Sequence, residues 1–193
     1  MKQEIEIELK NLVIEAEFNE LASAFSLTDE SFKKQTNYYF DTETFALKEK
    51  GCALRIRHKE DHYTFTLKRP HKDGLMESHE NLSDADAVRL IDGEPITTSD
   101  MIRFLADTFG IDPGQLICLG SLVTTRAEQT YKSGLLVFDH SAYLGIEDYE
   151  LEYEVSERKQ GEKEFKQLLD TFHIPQRKTP NKIERFFKRK QIT

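Results

Sequence analysis

Residues 3–10 alternate strictly, with Glu4, Glu6, Glu8 and Lys10 on one face and Ile5, Ile7 and Leu9 on the other. A period of two is that of a β-strand, whose successive side chains point to opposite sides. Over 14–26 the period changes: Ile14, Phe18, Leu21, Ala22 and Phe25 fall near helical spacing, which predicts a short amphipathic helix. Short β-prone stretches then return at 37–42, 52–57, 63–68 and 75–79, separated by Gly51, by the polar run 59–62 and by 70–74, spacings that suit hairpins. Helical patterns follow at 84–91 and 99–109. Ser83 or Asp84 caps the first and Ser99 or Asp100 the second, while Gly110 and Pro113 end the second. Three more strands are expected at about 119–128, 134–139 and 149–156, then a helix over 162–172 and a basic segment, 178–190.

Eight strands with a few helices make an α+β protein, and closing the sheet is the simplest way to remove its edges. The predicted architecture is a closed antiparallel eight-stranded β-barrel with helices packed outside. No linker, repeat or low-complexity tract interrupts 1–193, so a single domain is expected.

The polar faces of these strands are sorted by charge. One strand carries Glu4, Glu6, Glu8 and Lys10; another Arg55 and Arg57; a third Thr64, Thr66 and Lys68; the last Glu150, Glu152 and Glu154. Opposite them lie Leu54 and Ile56, Phe65 and Leu67, and Leu151, Tyr153 and Val155, apolar faces that the four predicted helices can cover from outside. The charged faces then point into the barrel. Any one such strand is ordinary as a solvated surface. Several together in a lumen would each carry several kcal/mol of desolvation cost, and they persist only if the charges pair, stay hydrated or bind ligands.

Composition narrows the partners. A net charge of −8 argues against nucleic acid, whose binding needs a basic surface. No apolar run approaches the roughly 20 residues of a membrane-spanning helix, and the charged start leaves no room for a secretion signal. Cys52 and Cys118 have neither disulfide nor zinc spacing and read as small hydrophobes in a reducing cytoplasm. The sequence is silent on oligomeric state, and a homodimer stays open.

The motifs together resemble the CYTH, or triphosphate tunnel metalloenzyme, superfamily. Its entry signature is matched by Glu6-x-Glu8-x-Lys10. The likeness continues through Tyr39-Phe40-Asp41-Thr42, Leu54-Arg55-Ile56-Arg57, Thr66-Leu67-Lys68, Arg126, Asp139, Glu150-Leu151-Glu152 and Asn181-Lys182. The resemblance implies a tunnel that holds a small-molecule triphosphate or polyphosphate on basic residues and Mg²⁺ or Mn²⁺ on carboxylates. It assigns Lys10, Arg55, Arg57, Lys68, Arg126 and Lys182 to phosphate, and Glu6, Glu8, Glu150 and Glu152 to metal, with Glu77 and Asp139 as further acidic tunnel residues. Six cations against six acids sum to zero, so a triphosphate carrying roughly four to five negative charges requires divalent cations.

The implied activity is metal-dependent hydrolysis of a triphosphate, inorganic triphosphate above all, by in-line attack of water without a covalent nucleophile. Glu152 and Lys182 are the candidate catalytic residues; Lys182 either activates water or simply binds phosphate. Adenylate cyclase, thiamine or nucleoside triphosphatase, and a polyphosphate- or nucleotide-binding module without turnover are the alternatives on this fold. Two departures stand out. The strand that usually reads Arg-x-Glu-x-Glu is Leu75-Met76-Glu77-Ser78-His79, leaving His79 where an acid is usual, and Thr124 stands where a lysine is frequent. His79 is the second titratable candidate, although a histidine at a strand end is more often an ordinary packed residue. His58, His62, His71, His140 and His173 receive no role, and the basic tail is expected to present a solvated face.

Overall fold

The computed structural model describes residues 1–190 and 192. Eight strands and six α-helices follow one another as β1 (Lys2–Val13), α1 (Glu15–Ala24), β2 (Lys33–Asp41), α2 (Ala46–Glu49), β3 (Ala53–Lys59), β4 (His62–His71) and β5 (Gly74–Leu82). After them come α3 (Asp84–Ile91), α4 (Asp100–Phe109), β6 (Ile117–Tyr131), β7 (Gly134–Tyr143), β8 (Ile146–Val155), α5 (Arg158–Thr171) and α6 (Lys182–Lys190). The strands hydrogen-bond in the order β1-β5-β4-β3-β2-β6-β7-β8 and close on themselves, the expected antiparallel barrel of an α+β protein. Closure leaves no row of unpaired backbone groups at an edge.

Several strands outrun their sequence signal. β6 continues to Tyr131 because Gln129, Thr130 and Tyr131 pair with Leu136, Leu135 and Gly134, so the ladder extends through polar residues next to the turn. The short helix α2 had no periodic pattern to announce it. Buried Asp41 creates it: its carboxylate accepts from Thr42 N at 2.7 Å, Leu47 N at 2.9 Å and Lys48 N at 3.0 Å, satisfying amides that a helix start leaves unpaired.

The chain divides into two compact units, Met1–Ile5 with Gln35–Ser121, and Glu6–Lys34 with Leu122–Thr193. In the first, the apolar faces of β3 and β4 (Leu54, Ile56, Phe65, Leu67) are buried with Leu90 of α3 and Met101, Ile102 and Leu105 of α4. Ser83 and Ser99 are the caps, each accepting from a backbone amide at 3.2 Å. Glu80 of β5 reinforces the α4 start by accepting from Ser99 Oγ at 2.7 Å, Asp100 N at 2.9 Å and Met101 N at 2.7 Å, a carboxylate placed against the positive end of the helix. Ile5 of β1 is not covered as its strand pattern suggested; it remains 46% exposed.

In the second unit, Phe18 and Leu21 of α1 and Phe165, Leu168 and Leu169 of α5 bury Phe138, Leu151 and Tyr153 of β7 and β8. α5 begins four residues before its apolar pattern, because Glu157 caps it, accepting from Lys159 N at 3.0 Å and Gln160 N at 2.6 Å. Gly161 lets this helix lie directly on β8: a Cβ there would stand 2.6 Å from Val155. One buried polar knot joins α5 to the sheet. Glu164 accepts from Ser133 Oγ at 2.5 Å, Tyr153 Oη at 2.5 Å and Gln160 Nε2 at 2.6 Å.

Those donors, Ser133 first, hold the Glu164 carboxyl down to about 2. Its contribution to stability is therefore complete above the ordinary carboxylate range and is lost as pH falls toward about 2. Glu164→Gln should flatten the dependence of unfolding free energy on pH below about 4.5. Urea titrations across that range check it, and an unchanged slope would show that the knot does not titrate as described.

Candidate functional site

The second unit gathers most of the ionisable residues that the sequence singled out. Arg126, Asp139 and Glu150 are direct neighbours across β6, β7 and β8, and Lys10 of β1 is opposite Glu152 of β8. Cross-strand neighbours share a face, so these groups converge. Asp139 and Glu150 are both fully buried. Arg126 grips Asp139 with two parallel bonds, Nε to Oδ1 at 2.7 Å and Nη2 to Oδ2 at 2.6 Å, and reaches Glu152 Oε2 at 2.7 Å. The fork geometry suits a guanidinium and would not suit a lysine. Lys182, the first residue of α6, lies 2.8 Å from Asp139 and 3.3 Å from Glu150 and bonds Glu152.

The protonation states follow from this balance. Burial alone would push Asp139 and Glu152 upward. The Arg126 and Lys182 charges outweigh it, holding Asp139 below and Glu152 well below the usual carboxylate value. For Glu150 burial prevails over Lys182 and Arg185, and its carboxyl is raised. Lys182 itself, despite burial, is held well above the ordinary lysine value by Asp139, Glu152 and Glu150.

Glu8, Glu150 and Glu152 each offer a carboxylate oxygen, and the three oxygens lie within 4.8 Å of one another. Glu150 Oε1 is buried and has no hydrogen-bond partner. An all-oxygen set with an uncompensated buried oxygen fits a hard divalent cation such as Mg²⁺ or Mn²⁺. Of the other expected acids, Glu6 lies outside this trio, Asp139 is bound by Arg126 and Lys182, and Glu77 belongs to the first unit. Lys10 is 2.8 Å from Glu8 and donates to Asn181, which ties the Asn181-Lys182 pair to β1.

The tail corrects one expectation. Rather than showing only a solvated face, α6 buries Phe186 and Phe187 and directs Arg185 into the carboxylates. Arg185 donates from Nε to Asp148 Oδ2 at 2.9 Å, from Nη1 to Pro180 O at 2.7 Å, and from Nη2 to Glu150. The sequence places Arg185 only in the basic tail and gives it no part in the site, although Lys182, Arg185 and Phe186 have the spacing of one helix face. Thr124 is buried and bonds Ser141 at 3.1 Å, and Ser141 is in turn opposite Asp148. That row lacks a strand cation, and Arg185 supplies one from the helix.

In the first unit, Arg55, Arg57 and Lys68 lie on β3 and β4. Arg57 Nε donates to Asn37 at 3.0 Å, Lys68 pairs with its cross-strand neighbour Glu77, and Arg55 Nε is buried without a hydrogen-bond partner. His79 bonds Thr66 Oγ1 through Nδ1 at 3.0 Å, and its Nε2 lies 3.2 Å from Glu77 and 3.3 Å from Glu4. Burial, with Arg55 and Lys68 adding to it, holds the imidazole below its ordinary value against the two carboxylates.

A closed barrel whose strands carry these rows of cations and carboxylates is the architecture of the CYTH domain. The model of that family matches residues 4–187, and the chain belongs to the family. YjbK of Bacillus subtilis (strain 168), whose name proposes a triphosphatase, is 45% identical over 191 residues, covering 99% of this chain and 98% of that protein. A Bacillus halodurans protein whose crystal structure is described as that of a proposed adenylate cyclase is 44% identical with a TM-score of 0.91, over 97% of this chain and 100% of that one. A Hippeastrum protein, HpAC1, proposed as an adenylyl cyclase and described as having a dominant triphosphatase activity, shares the fold with a TM-score of 0.82 at 24% identity, over 95% of this chain and 96% of that one.

Removing one partner from a buried charge network leaves the others uncompensated. Arg126→Met should therefore cost about 3–5 kcal/mol of folding stability. Urea denaturation measures it, and a loss below about 1 kcal/mol would mean that Asp139 is compensated without Arg126, by Lys182 or water.

Proposed function

We propose that this chain is a divalent-metal-dependent triphosphatase whose preferred substrate is inorganic triphosphate. The observation that carries the reading is the Glu8, Glu150 and Glu152 trio beside Lys182 and Arg126, with Glu150 Oε1 buried and unsatisfied. The name of the 45% identical YjbK supports the same activity. Glu8, Glu150 and Glu152 would hold Mg²⁺ or Mn²⁺, which when bound supplies positive charge to phosphoryl oxygens.

The remaining roles fall to the chain's own side chains. Arg126 is the candidate for orienting a phosphate through Nη1, since Asp139 and Glu152 fix the guanidinium by holding Nε and Nη2. Lys182, whose ammonium is favoured by Asp139, Glu152 and Glu150, suits a phosphate ligand. Glu152 is held ionised, and a carboxylate depressed this far is a better cation ligand than a proton acceptor. Lys10 is a further phosphate ligand in the second unit, and Arg55, Arg57 and Lys68 take that part in the first. The buried, unbonded Arg55 Nε is what an arriving phosphate oxygen would satisfy. Among the described residues no helix is long and apolar enough to cross a membrane, and a cytoplasmic enzyme of small-molecule polyphosphates, without nucleic-acid or membrane partners, completes the reading.

The second reading is an adenylate cyclase, favoured by the description of the Bacillus halodurans relative. A panel of inorganic triphosphate, thiamine triphosphate and ATP, each with Mg²⁺, Mn²⁺ or neither, separates the two. We expect metal-dependent phosphate release that is fastest with inorganic triphosphate and falls at least roughly a hundredfold in Glu8→Ala. Cyclic AMP formed from ATP would select the cyclase. Equal activity of Glu8→Ala would remove Glu8 from the metal site.

A further inference from the structure

The cation at 69 has no part in the charged face of β4. Lys68 pairs with Glu77, and because side chains alternate along a strand, Arg69 points to the opposite face. There its guanidinium lies over the Phe104 ring of α4, 4.7 Å from the ring centre. Among the described residues Arg69 has no hydrogen bond or ion pair with the protein, and its Nε is buried without a partner. A guanidinium carries five donors, and leaving them unmade while partly withdrawn from water is costly.

This side chain lines an open cleft of about 440 Å³ within the first unit. Lys50 and His71 line it too, and no acidic residue does, in a chain whose net charge is −8. His71 Nδ1 accepts from the Asp73 amide at 3.3 Å, which puts the ring hydrogen on Nε2 and leaves it available as a donor. The Asp73 carboxylate, 3.7 Å from Nδ1, is more than half exposed and is not part of the lining. The other walls are mostly apolar, from Pro70, Met76 and Phe109.

We infer that Lys50, Arg69 and His71 form a second anion site, on the face of β4 away from Lys68, for a phosphate monoester with an apolar or aromatic body. The three donors match a dianionic phosphate, with the Arg69 fork as its bidentate grip. The Pro70, Met76 and Phe109 wall takes the organic group, which a bare phosphate lacks. The site is separate from triphosphate hydrolysis and does not depend on it.

Met76 gives a local reporter, because the chain has only three methionines and Met101 is fully buried in the α4 core. Protein labelled with ¹³C at the methionine methyls would be titrated with phenyl phosphate, inorganic phosphate and benzoate, the Met76 signal being assigned with Met76→Leu. We expect a saturable Met76 shift with phenyl phosphate, at least about tenfold tighter than with the other two anions. Arg69→Gln should weaken it by about tenfold or more, exposed Lys50→Gln by less, and Arg69→Lys should recover part of the loss. Matching thermal midpoints keep misfolding out of the comparison, and Lys50→Gln, which removes no packing, serves if Arg69→Gln is unstable. A Met76 signal unmoved by millimolar phenyl phosphate would overturn the site, as would equal affinity in Lys50→Gln and Arg69→Gln. Benzoate binding as tightly as phenyl phosphate would overturn its assignment to phosphate.

Discussion

The charged residues of the second unit's site answer to one constraint: Asp139 and Glu150 are fully buried on neighbouring strands, with Glu152 beside them. Buried carboxylates must be compensated, protonated or bound to metal. Arg126 comes from the adjacent strand, while Lys182 and Arg185 come from the far end of the chain. The groups joined by these contacts are four carboxylates, counting Asp148, against three cations. One negative charge remains, and the Glu8 and Lys10 pair does not change the sum. The excess is partly expressed in the raised carboxyl of Glu150, the member whose Oε1 has no bonding partner. A cluster with this residue of charge favours a cation, which is the physical ground for proposing a metal there.

The same constraint explains the path of the C-terminal segment. Residues 175–190 have no strand to join, yet they return to β1 and β8. Arg177 is bound by Glu17 at 2.7 and 2.8 Å and donates to Leu12 O at 2.9 Å, Asn181 accepts from Lys10, and α6 then places Lys182 and Arg185 one helical turn apart on the carboxylates. Phe186 and Phe187 bury alongside them. Electrostatic compensation and apolar burial therefore act on the same helix and fix it in one orientation.

Strand alternation was readable because it is local: each strand declares its two faces within a few residues. The barrel, the helices covering it, the caps Ser83 and Ser99, and the convergence of Arg126 with Asp139, Glu150 and Glu152 all follow from that pattern or from the family likeness it carries. The less legible parts depend on register and on contacts between distant segments. Nothing local distinguishes Arg185 from Lys188, since both lie in one basic run, and only the docked helix decides which faces Glu150. Asp41 reads as a tunnel motif residue, but it is spent on backbone amides of α2. The missing lysine at 124 reads as a lost cation until the Thr124, Ser141 and Asp148 row shows the charge arriving from α6.

A count of side chains alone, six cations against six acids, made metal a matter of total neutrality. The contacts replace that total with individual commitments. Glu77 is contacted by Lys68 and His79, Asp139 by Arg126 and Lys182, and Glu150 by Lys182 and Arg185; of the three it is Glu150 that also stands within 4.8 Å of two further carboxylates, Glu8 and Glu152. Among the buried atoms left without a hydrogen-bond partner, Arg55 Nε in the first unit lacks an acceptor, and Glu150 Oε1 in the second lacks a cation or a donor. Each costs free energy that folding does not recover. An anionic ligand oxygen would answer the first, and a cation or a proton donor the second. In each unit the unsatisfied atom thus says more about the chemistry it can accept than the sum of the charges does.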